Sequence, residues 1–303
     1  MNAYLFPGQG SQYVGMGKDL AERFPEARAM FERADRVLGV RLSHICFAGP
    51  EVELKQTKNT QPAIFLHSMV VWNLIKPSDA MMTAGHSLGE YSALVAAGAM
   101  TFEDALKIVR LRGELMQIAG EEHPGTMAAV VGMDAAALVE VCAEASKEGI
   151  VQPANFNSPG QIVISGSVSG VRKAMELAKP RGAKLVKELV VSGAFHSPLM
   201  DSAKYALKAA LAEAVISDAK IPVYANVTAK PVQKASEIRA LLVEQVTSPV
   251  RWEESVAAMA AAGATKFSEI GPGKVLQGLA KRIAPNVAAD GCDTADDVQK
   301  FLS

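Results

Sequence analysis

Short apolar stretches with strand character alternate with longer amphipathic stretches along most of the chain. The apolar runs at residues 3–6 and 79–84 predict strands, and a glycine-containing turn follows each of them. Thr101 begins the best marked helix, because Asp104 follows at capping-box spacing and apolar residues then recur with helical period to Ala119. This alternation predicts an α/β fold with a mostly parallel sheet.

Further periodic stretches complete the predicted large domain. Strands are expected at residues 223–227 and 266–270, and helices at 19–38, 62–75, 88–99, 198–215, 235–246, 251–262 and 274–283. The helix at 198–215 has Ser197 as its N-cap and Pro198 at its first position.

The pattern changes between residues 126 and 192. Strand patterns at 126–133, 150–155, 161–165 and 184–191 enclose helix patterns at 134–148 and 168–179. The resulting order, β-α-β-β-α-β, is that of the ferredoxin-like split motif. We therefore predict a ferredoxin-like subdomain at residues 126–192, inserted into a large α/β domain that is formed by residues 1–125 and 193–303.

Composition narrows the function classes. The chain has 303 residues, 49% of them hydrophobic and 21% charged, which is typical of globular proteins. A net charge of −1 argues against nucleic acid or anionic membrane as a partner. The three cysteines lie far apart, so neither a zinc site nor a disulfide framework is indicated. Since the sequence lacks a signal-peptide pattern and an 18-residue apolar run, a cytoplasmic protein is expected.

The pentapeptide Gly85-His86-Ser87-Leu88-Gly89 is the strongest indication of chemistry. The pattern G-x-S-x-G puts a serine on a strained turn between a strand and a helix. The predicted strand before it and the predicted helix after it supply that setting. The Ser87 hydroxyl then points away from the backbone, and the Leu88 N–H lies at a helix start, where it can bind an oxyanion. We predict that Ser87 is a nucleophile.

A serine nucleophile needs a positioned base, and the chain has five histidines. His196 is the strongest candidate, because it ends a strand-like run and precedes a capped helix, where α/β enzymes present side chains. The helix N-terminus disfavours the imidazolium and keeps His196 neutral. We expect a structural or supporting role for His86, a core position for His67, and surface turns for His44 and His123.

Arg112 is the main indication of substrate chemistry. Its neighbours at helical spacing include Ile108 and Met116, so it lies on the apolar face of its helix. A buried guanidinium is costly unless it is paired with an anion. That anion is either a protein carboxylate in a structural salt bridge or a substrate carboxylate held by two hydrogen bonds. The sequence leaves both possibilities open.

The turn Gly8-Gln9-Gly10 is a candidate for the second oxyanion donor, because α/β hydrolases take that N–H from a loop after another strand. The turn is not a dinucleotide fingerprint, since Tyr13 occupies the position of the third glycine. Residues 271–274 (GPGK) do not form a P-loop either. Nucleotide binding is therefore unsupported.

Several segments together closely resemble the malonyl-CoA:acyl carrier protein transacylase family of fatty-acid synthesis. They occur in the family's order over essentially the whole chain, at residues 6–12 (FPGQGSQ), 85–90 (GHSLGE), 112–113 (RG), 155–161 (NFNSPGQ), 194–196 (AFH) and 270–274 (IGPGK). The resemblance implies an α/β-hydrolase-like core with a ferredoxin-like insert, in agreement with the pattern analysis.

The resemblance also implies roles for the reacting groups. Ser87 would carry the acyl group and His196 would be its base. The backbone amides of Gln9 and Leu88 would form the oxyanion hole, and Arg112 would hold the malonyl carboxylate.

Three further positions match the family. Gln245 corresponds to the residue whose main-chain carbonyl orients the histidine, so that a dyad replaces a triad. Asn155 corresponds to a polar residue near the site. Phe195 and Leu88 match related domains that take malonyl rather than methylmalonyl groups.

The expected reaction moves a malonyl group from malonyl-CoA to the phosphopantetheine thiol of acyl carrier protein by a ping-pong mechanism. No metal or redox cofactor is expected, and the chain is expected to act as a monomer. Four basic residues are candidates for a patch that faces an acidic carrier protein: Lys184, Lys187, Lys281 and Arg282.

The sequence also allows two other functions, a serine hydrolase and a non-catalytic scaffold. A serine hydrolase with the same turn needs an acidic triad member at a strand end, which the segment between Ser87 and His196 does not clearly offer. A patatin-like Ser–Asp dyad with Asp290 is a variant, but it leaves Arg112 and His196 without a role. A non-catalytic scaffold is disfavoured by the intact set of candidate residues.

Overall fold

The computed structural model describes residues 1–303, which form two β-sheets and fourteen α-helices. The strands are β1 (Asn2–Phe6), β2 (Ala80–Gly85), β3 (Gly125–Val131), β4 (Val151–Ser158), β5 (Gln161–Ser167), β6 (Leu185–Glu188), β7 (Val223–Tyr224), β8 (Pro231–Val232), β9 (Lys266–Ile270) and β10 (Ala288–Cys292). The helices are α1 (Lys18–Arg23), α2 (Pro25–Leu38), α3 (Leu42–Ala48), α4 (Glu51–Leu54), α5 (Thr57–Ile75), α6 (Gly89–Ala96), α7 (Phe102–Glu122), α8 (Ala135–Ala145), α9 (Val168–Ala178), α10 (Asp201–Glu213), α11 (Ala235–Gln245), α12 (Trp252–Ala261), α13 (Val275–Ile283) and α14 (Ala295–Leu302). None of these helices has the length and apolar character needed to cross a bilayer.

The large sheet has the strand order β10-β9-β1-β2-β7-β8. Its strands pair in parallel except for β8, which is antiparallel to β7. The central strand β1 is apolar over Ala3–Phe6 and almost fully buried, as expected for a parallel strand covered on both faces. Phe6 is paired with Gly85 at the ends of β1 and β2. The turns that carry Gln9 and Ser87 therefore start side by side at one edge of the sheet.

The second sheet is antiparallel and has the order β4-β5-β3-β6. With α8 and α9 it follows the predicted β-α-β-β-α-β order, and the predicted fold class is confirmed. Side chains alternate between its faces. Val130 and Ile164 pack into the small core beneath the two helices, whereas Met127 and Val163 join the main core together with Phe195.

The prediction of one helix over residues 19–38 is wrong, because α1 and α2 are separate. Phe24 lies between them in an extended conformation, with φ −121° and ψ 114°. A residue before proline is pushed out of the helical region by the proline ring, and Pro25 begins α2.

The helix predicted at residues 62–75 starts five residues earlier, so Pro62 lies inside α5. Proline has no N–H to donate to the carbonyl four residues before it, which is that of Lys58. That carbonyl instead accepts a hydrogen bond of 3.0 Å from Arg110 Nη1 of α7. The contact with a neighbouring helix compensates the lost helical bond, and sequence periodicity does not reveal it.

Several short elements were not predicted: α3, α4, β8, β10 and α14. Strand β10 is an edge strand with little apolar pattern, and pairing with β9 defines it. Helix α14 had a usable signal, because Thr294 and Asp297 form a reciprocal capping box. The strands predicted at 184–191 and 223–227 are shorter than expected, and the helix at 198–215 opens with the 3-10 turn Pro198–Met200.

Candidate active site

Ser87 lies on the sharp turn between β2 and α6, with a positive φ of 53°. A non-glycine residue rarely adopts this conformation, and such strain is typical of functional sites. The two flanking glycines make the turn possible. A Cβ on Gly85 would lie 1.9 Å from Gly89 carbonyl atoms, and a Cβ on Gly89 would lie 2.2 Å from the Phe6 carbonyl oxygen. The G-x-S-x-G pattern is therefore a packing requirement of this turn.

Asn226 clamps this turn from the adjacent strand region. Its Oδ1 accepts a 2.7 Å hydrogen bond from the Ser87 main-chain N–H, and its Nδ2 donates a 2.7 Å bond to the Gly85 carbonyl. Asn226 follows β7 and is completely buried. A single side-chain amide thus holds both sides of the strained serine.

Ser87 and His196 form a dyad. Ser87 Oγ lies 2.8 Å from His196 Nε2. His196 Nδ1 lies 2.9 Å from the Gln245 carbonyl oxygen and 3.1 Å from that of Ser248. Since carbonyl oxygens only accept, Nδ1 carries the ring proton and Nε2 presents its lone pair to the serine hydroxyl.

The environment of His196 keeps its ring neutral. Burial lowers the pKa of His196 to about 3, and the positive charge of Arg112 acts in the same direction. The two carbonyl contacts on Nδ1 oppose this shift by favouring the charged form. His196 is therefore a neutral hydrogen-bond acceptor at physiological pH, as the sequence analysis expected.

Arg112 is buried beside the nucleophile, with 1% of its surface exposed. Its Nη2 donates to Ser87 Oγ at 3.1 Å and to Gln245 Oε1 at 3.0 Å, and its Nη1 donates to Gln61 Oε1 at 2.6 Å. These acceptors are neutral. The alternative of a direct structural salt bridge is therefore not what the structure contains.

The guanidinium of Arg112 keeps unused donor capacity. Three hydrogen bonds use three of its five N–H groups, and Nε has no partner although it is buried. The Tyr91 ring lies 5.8 Å from the guanidinium carbon and adds a cation–π contact. A buried cation with unpaired N–H groups is suited to bind an anion that enters the site.

Gln9 and Leu88 line the same cavity as Ser87. Neither N–H takes part in a backbone hydrogen bond of the protein. The two turns are in close contact, because a Cβ on Gly8 would lie 2.5 Å from the His86 carbonyl oxygen. Leu88 is the N-cap residue of α6, where the helix dipole favours negative charge. Both amides are available as donors to an oxyanion.

A cavity of about 300 Å³ opens onto this group. The two turns of the large sheet, the second sheet and α13 line it. Its polar wall includes Gln9, Arg112, Asn155, Asn157 and His196, and its apolar wall includes Leu88, Met116, Met127, Val163, Phe195 and Leu279. Gln245 lies behind this wall, held by its contacts with Arg112 and His196.

The other histidines lie outside the dyad. His67 is completely buried and its Nε2 contacts Asp293, in agreement with a core role. His86 Nε2 lies 2.9 Å from Asn157 Oδ1 at the cavity wall, so it supports the site. His44 is exposed but lies in α3, and the prediction of a turn there is wrong. His123 is an exposed residue at the end of α7.

Asp290 is not brought to the nucleophile. It lies on the edge strand β10, accepts a 2.7 Å hydrogen bond from Ser268 and forms a salt bridge with Lys266. Because Asp290 does not line the cavity, a Ser87–Asp290 dyad has no support. The structure also contains no group of three or more His, Cys, Asp or Glu side chains suited to a metal ion.

Three further residues of the site were not predicted from the sequence: Gln61, Glu90 and Asn226. Gln61 holds Arg112, and Asn226 holds Ser87. Glu90 accepts from both Asn226 and Gln245. The one available signal was Glu90, a carboxylate within the run of small and apolar residues that is predicted to form the helix at 88–99.

Comparisons with known proteins agree with this geometry. Residues 3–294 match a family model described as an acyl transferase domain. The malonyl CoA-acyl carrier protein transacylase of Bacillus subtilis is 51% identical over 284 residues, which are 93% of this chain and 90% of that protein.

Two solved structures show the same likeness. The acyl-carrier-protein-S-malonyltransferase of Bartonella henselae superposes with a TM-score of 0.96 at 43% identity, covering 99% of this chain and 98% of that one. A malonyl-transacylase solved in complex with its type II PKS acyl-carrier protein also has a TM-score of 0.96, at 41% identity and with the same coverage.

Proposed function

The chain belongs to the acyl transferase domain family, among the malonyl CoA-acyl carrier protein transacylases, and we propose that Ser87 carries the malonyl group in its reaction. Members of this group are acyltransferases of fatty-acid biosynthesis that use an acyl carrier protein as partner. The observation that carries the residue assignment is the 2.8 Å contact between Ser87 Oγ and His196 Nε2, beside the Arg112 guanidinium.

In the first half-reaction Ser87 Oγ attacks the thioester carbonyl carbon of malonyl-CoA, and its proton moves to His196 Nε2. The developing oxyanion accepts from the free N–H groups of Gln9 and Leu88. Collapse of the tetrahedral intermediate breaks the C–S bond, and the proton on Nε2 goes to the leaving CoA sulfur. The product is a malonyl ester on Ser87.

In the second half-reaction the phosphopantetheine thiol of the carrier protein attacks this ester. His196 Nε2 takes the thiol proton and returns it to Ser87 Oγ when the C–O bond breaks. The carbonyls of Gln245 and Ser248 hold the Nδ1–H and stabilise the imidazolium that forms at each step. Both steps are acyl substitutions without electron transfer, so we propose that the reaction needs neither a metal nor a redox cofactor.

Arg112 supplies selectivity for malonyl. Its buried charge and unpaired N–H groups favour an acyl group that ends in a carboxylate. A charge-assisted hydrogen bond contributes roughly 1.5–3 kcal/mol, and a two-bond contact adds geometric preference. Phe195 and Leu88 contribute apolar wall to the same cavity, and Asn155 contributes a polar group.

Transfer is favoured over hydrolysis by the partners of His196. A hydrolase triad would place a carboxylate on Nδ1, whereas here two main-chain carbonyls occupy that position. Apolar side chains such as Met116, Met127 and Val163 also line the cavity onto which Ser87 opens. An apolar wall disfavours the entry of water, which competes with the carrier thiol.

We propose that the carrier protein docks beside Gln161, at the edge of the cavity. Arg282 donates a 2.8 Å hydrogen bond to Gln161, which lines the cavity. Lys184 packs on Gly132, whose N–H donates to the Gly160 carbonyl next to Gln161. Lys187 and Lys281 are exposed on β6 and α13. Charge reversal of Lys281 and Arg282 should raise KM for the carrier protein and leave acylation by malonyl-CoA unchanged.

We further propose that the chain acts as a monomer in the cytoplasm. Every residue of the site comes from a single chain, so no partner subunit is needed to complete it. The three cysteines are buried and free, which fits a reducing compartment. Light scattering of the purified protein measures the oligomeric state, and a dimer mass would contradict this proposal.

Intact-protein mass spectrometry tests the nucleophile. Brief exposure to malonyl-CoA should add one malonyl group to the wild type and none to Ser87→Ala, and His196→Ala should slow the addition by several orders of magnitude. Full-stoichiometry addition to Ser87→Ala would overturn the assignment.

A further inference from the structure

Glu90 is a buried carboxylate for which the proposed reaction has no use. It is 3% exposed and lies in the first turn of α6, three residues after the nucleophile. Both of its hydrogen-bond partners are neutral N–H groups, and both donate to the same oxygen, Oε2. Burial raises the pKa of Glu90 to about 7 although these bonds and Arg112 act in the opposite direction. Burial of a carboxylate that has no cationic hydrogen-bond partner costs free energy. The two contacts of Glu90 therefore indicate its role in the site.

One of the two contacts leads to the nucleophile. The Asn226 main-chain N–H donates to Glu90 Oε2 at 3.0 Å. The side chain of the same asparagine holds the Ser87 N–H and the Gly85 carbonyl, each at 2.7 Å. Glu90 therefore fixes the backbone from which the clamp on the strained serine extends.

The other contact leads, through Gln245, to Arg112 and to His196. Gln245 Nε2 donates to Glu90 Oε2 at 2.7 Å and to the Ser87 carbonyl at 3.1 Å. The oxygen of the same side-chain amide accepts from Arg112, and the main-chain carbonyl of Gln245 accepts from His196 Nδ1. The side-chain amide of Gln245 thus contacts Glu90, the Ser87 carbonyl and Arg112, and the main chain of the same residue contacts His196.

We propose that Glu90 is a positioning residue, whose Oε2 joins the Asn226 clamp on Ser87 to the Gln245 amide that faces Arg112. This proposal rests on the proposed function. A primary amide has two ends of similar shape, and a guanidinium can only donate, so Gln245 must turn its oxygen toward Arg112. A hydrogen-bond acceptor at position 90 holds that orientation, because the reversed amide would set its own oxygen against Oε2.

Two variants of Glu90 distinguish the loss of the hydrogen-bond acceptor from a change in side-chain volume. In Glu90→Gln an amide oxygen can replace Oε2 and accept from both donors, while the charge is removed. Glu90→Met keeps a similar length but offers no comparable acceptor, so both N–H donors are left buried without a partner. Single-turnover acylation by malonyl-CoA and by acetyl-CoA is measured for each, together with Tm.

The expected rates follow from the two contacts. The acylation rate of Glu90→Gln should stay within about fivefold of the wild-type rate for both substrates. In Glu90→Met the acylation rate with malonyl-CoA should fall by at least about thirtyfold. The ratio of its malonyl-CoA rate to its acetyl-CoA rate should fall by at least about fivefold, because Arg112 loses its fixed acceptor. An impairment of Glu90→Gln equal to that of Glu90→Met, or an unchanged ratio in Glu90→Met, would overturn the proposal.

Glu269 provides the matched control for general loss of stability. It is 1% exposed, burial raises its pKa to about 7, and it accepts from the main-chain N–H groups of Leu276 and Gln277 at 3.1 Å. Glu269→Met should lower Tm as Glu90→Met does and leave the malonyl-to-acetyl ratio unchanged. A ratio that falls equally in both variants would contradict a specific role for Glu90.

A second readout keeps this proposal separate from the proposed function. A neutral sulfonyl fluoride that labels activated serines reports on Ser87 and His196 without any acyl-CoA. Wild type and Glu90→Gln should be labelled at similar rates and Glu90→Met at least about tenfold more slowly. If malonyl-CoA fails to acylate the wild type but this order holds, the proposed function fails and the positioning role stands. Equal labelling of all three proteins overturns the positioning role.

Discussion

At the scale of single residues, two basic side chains converge on one hydroxyl, and burial affects them differently. Burial lowers the pKa of both Arg112 and His196. The guanidinium starts from such a high pKa that it stays charged, whereas the imidazole becomes neutral throughout the physiological range. The site therefore combines a fixed positive charge with a neutral base, which suits an acyl thioester that ends in a carboxylate.

Replacement of Arg112 should change which acyl group is accepted. Arg112→Ala should cut kcat/KM for malonyl-CoA by roughly tenfold to a hundredfold, because a buried charge-assisted contact is lost. The kcat/KM for acetyl-CoA should change little, since the acetyl group has no carboxylate to pair with the guanidinium. Lys107→Ala is the control, because Lys107 is an exposed cation on the same helix and does not line the cavity. If Arg112→Ala lowers kcat/KM by the same factor for both substrates, Arg112 has only a structural role.

The low pKa of His196 predicts a flat pH profile over the neutral range. A base acts in its neutral form, and a folded pKa of about 3 keeps His196 neutral until the pH approaches that value. Single-turnover acylation by malonyl-CoA should therefore stay nearly constant from about pH 8 to about pH 5 and fall only at more acidic pH. A falling limb with its midpoint near about 6.5 would show that the ring titrates like an exposed histidine.

The residues identified from sequence share a local setting. Ser87 was found through two glycines within two residues of it, and His196 through the strand end and helix cap that flank it. Asn226 and Gln245 act through contacts with residues 139 and 155 positions away. No periodicity or spacing encodes such contacts. The role of Gln245 was accessible only through family resemblance.

At the scale of elements, the active site depends on how closely the turn after β2 approaches the end of β1. Gly89→Ala would place a methyl group 2.2 Å from the Phe6 carbonyl oxygen, where only backbone movement can relieve the clash. We expect a loss of at least about 2 kcal/mol in the free energy of unfolding and a strong loss of acylation, because the turn that carries Ser87 must shift. Denaturant unfolding and single-turnover acylation measure the two effects.

Gly278→Ala is the matched control for this change. Gly278 lies inside α13, and the space that an alanine methyl would occupy is open, so alanine should stabilise the protein by about 0.4–1 kcal/mol. Its acylation rate should equal that of the wild type. Equal behaviour of the two glycine variants would contradict the account of the turn.

Element types were more predictable than element boundaries. The apolar run of β1 and the capped start of α7 were predicted correctly, because each is a local pattern. The true start of α5 depends on Arg110, which reaches Lys58 from another helix and supplies the donor that Pro62 lacks. The break at Phe24 was locally encoded by Pro25 and was missed although the signal was present.

At the scale of the whole molecule, both sheets line the cavity and each contributes a different part of its wall. The large sheet supplies the turns that carry Ser87 and the proposed oxyanion donors, and the second sheet supplies apolar wall through Met127 and Val163. Under the proposed function, selectivity and exclusion of water should therefore depend on the second sheet as well as on the turns that carry Ser87 and Gln9.

Under the proposed function, Ser87 passes its acyl group to a carrier thiol rather than to water. The most direct test isolates the malonyl-enzyme, adds acyl carrier protein bearing phosphopantetheine, and follows both proteins by intact mass. The malonyl group should leave the enzyme and appear on the carrier in equal amount, and it should persist on the enzyme when the carrier is absent. Rapid loss of the adduct as free malonate, with none gained by the carrier, would show that the protein is a hydrolase and not a transferase.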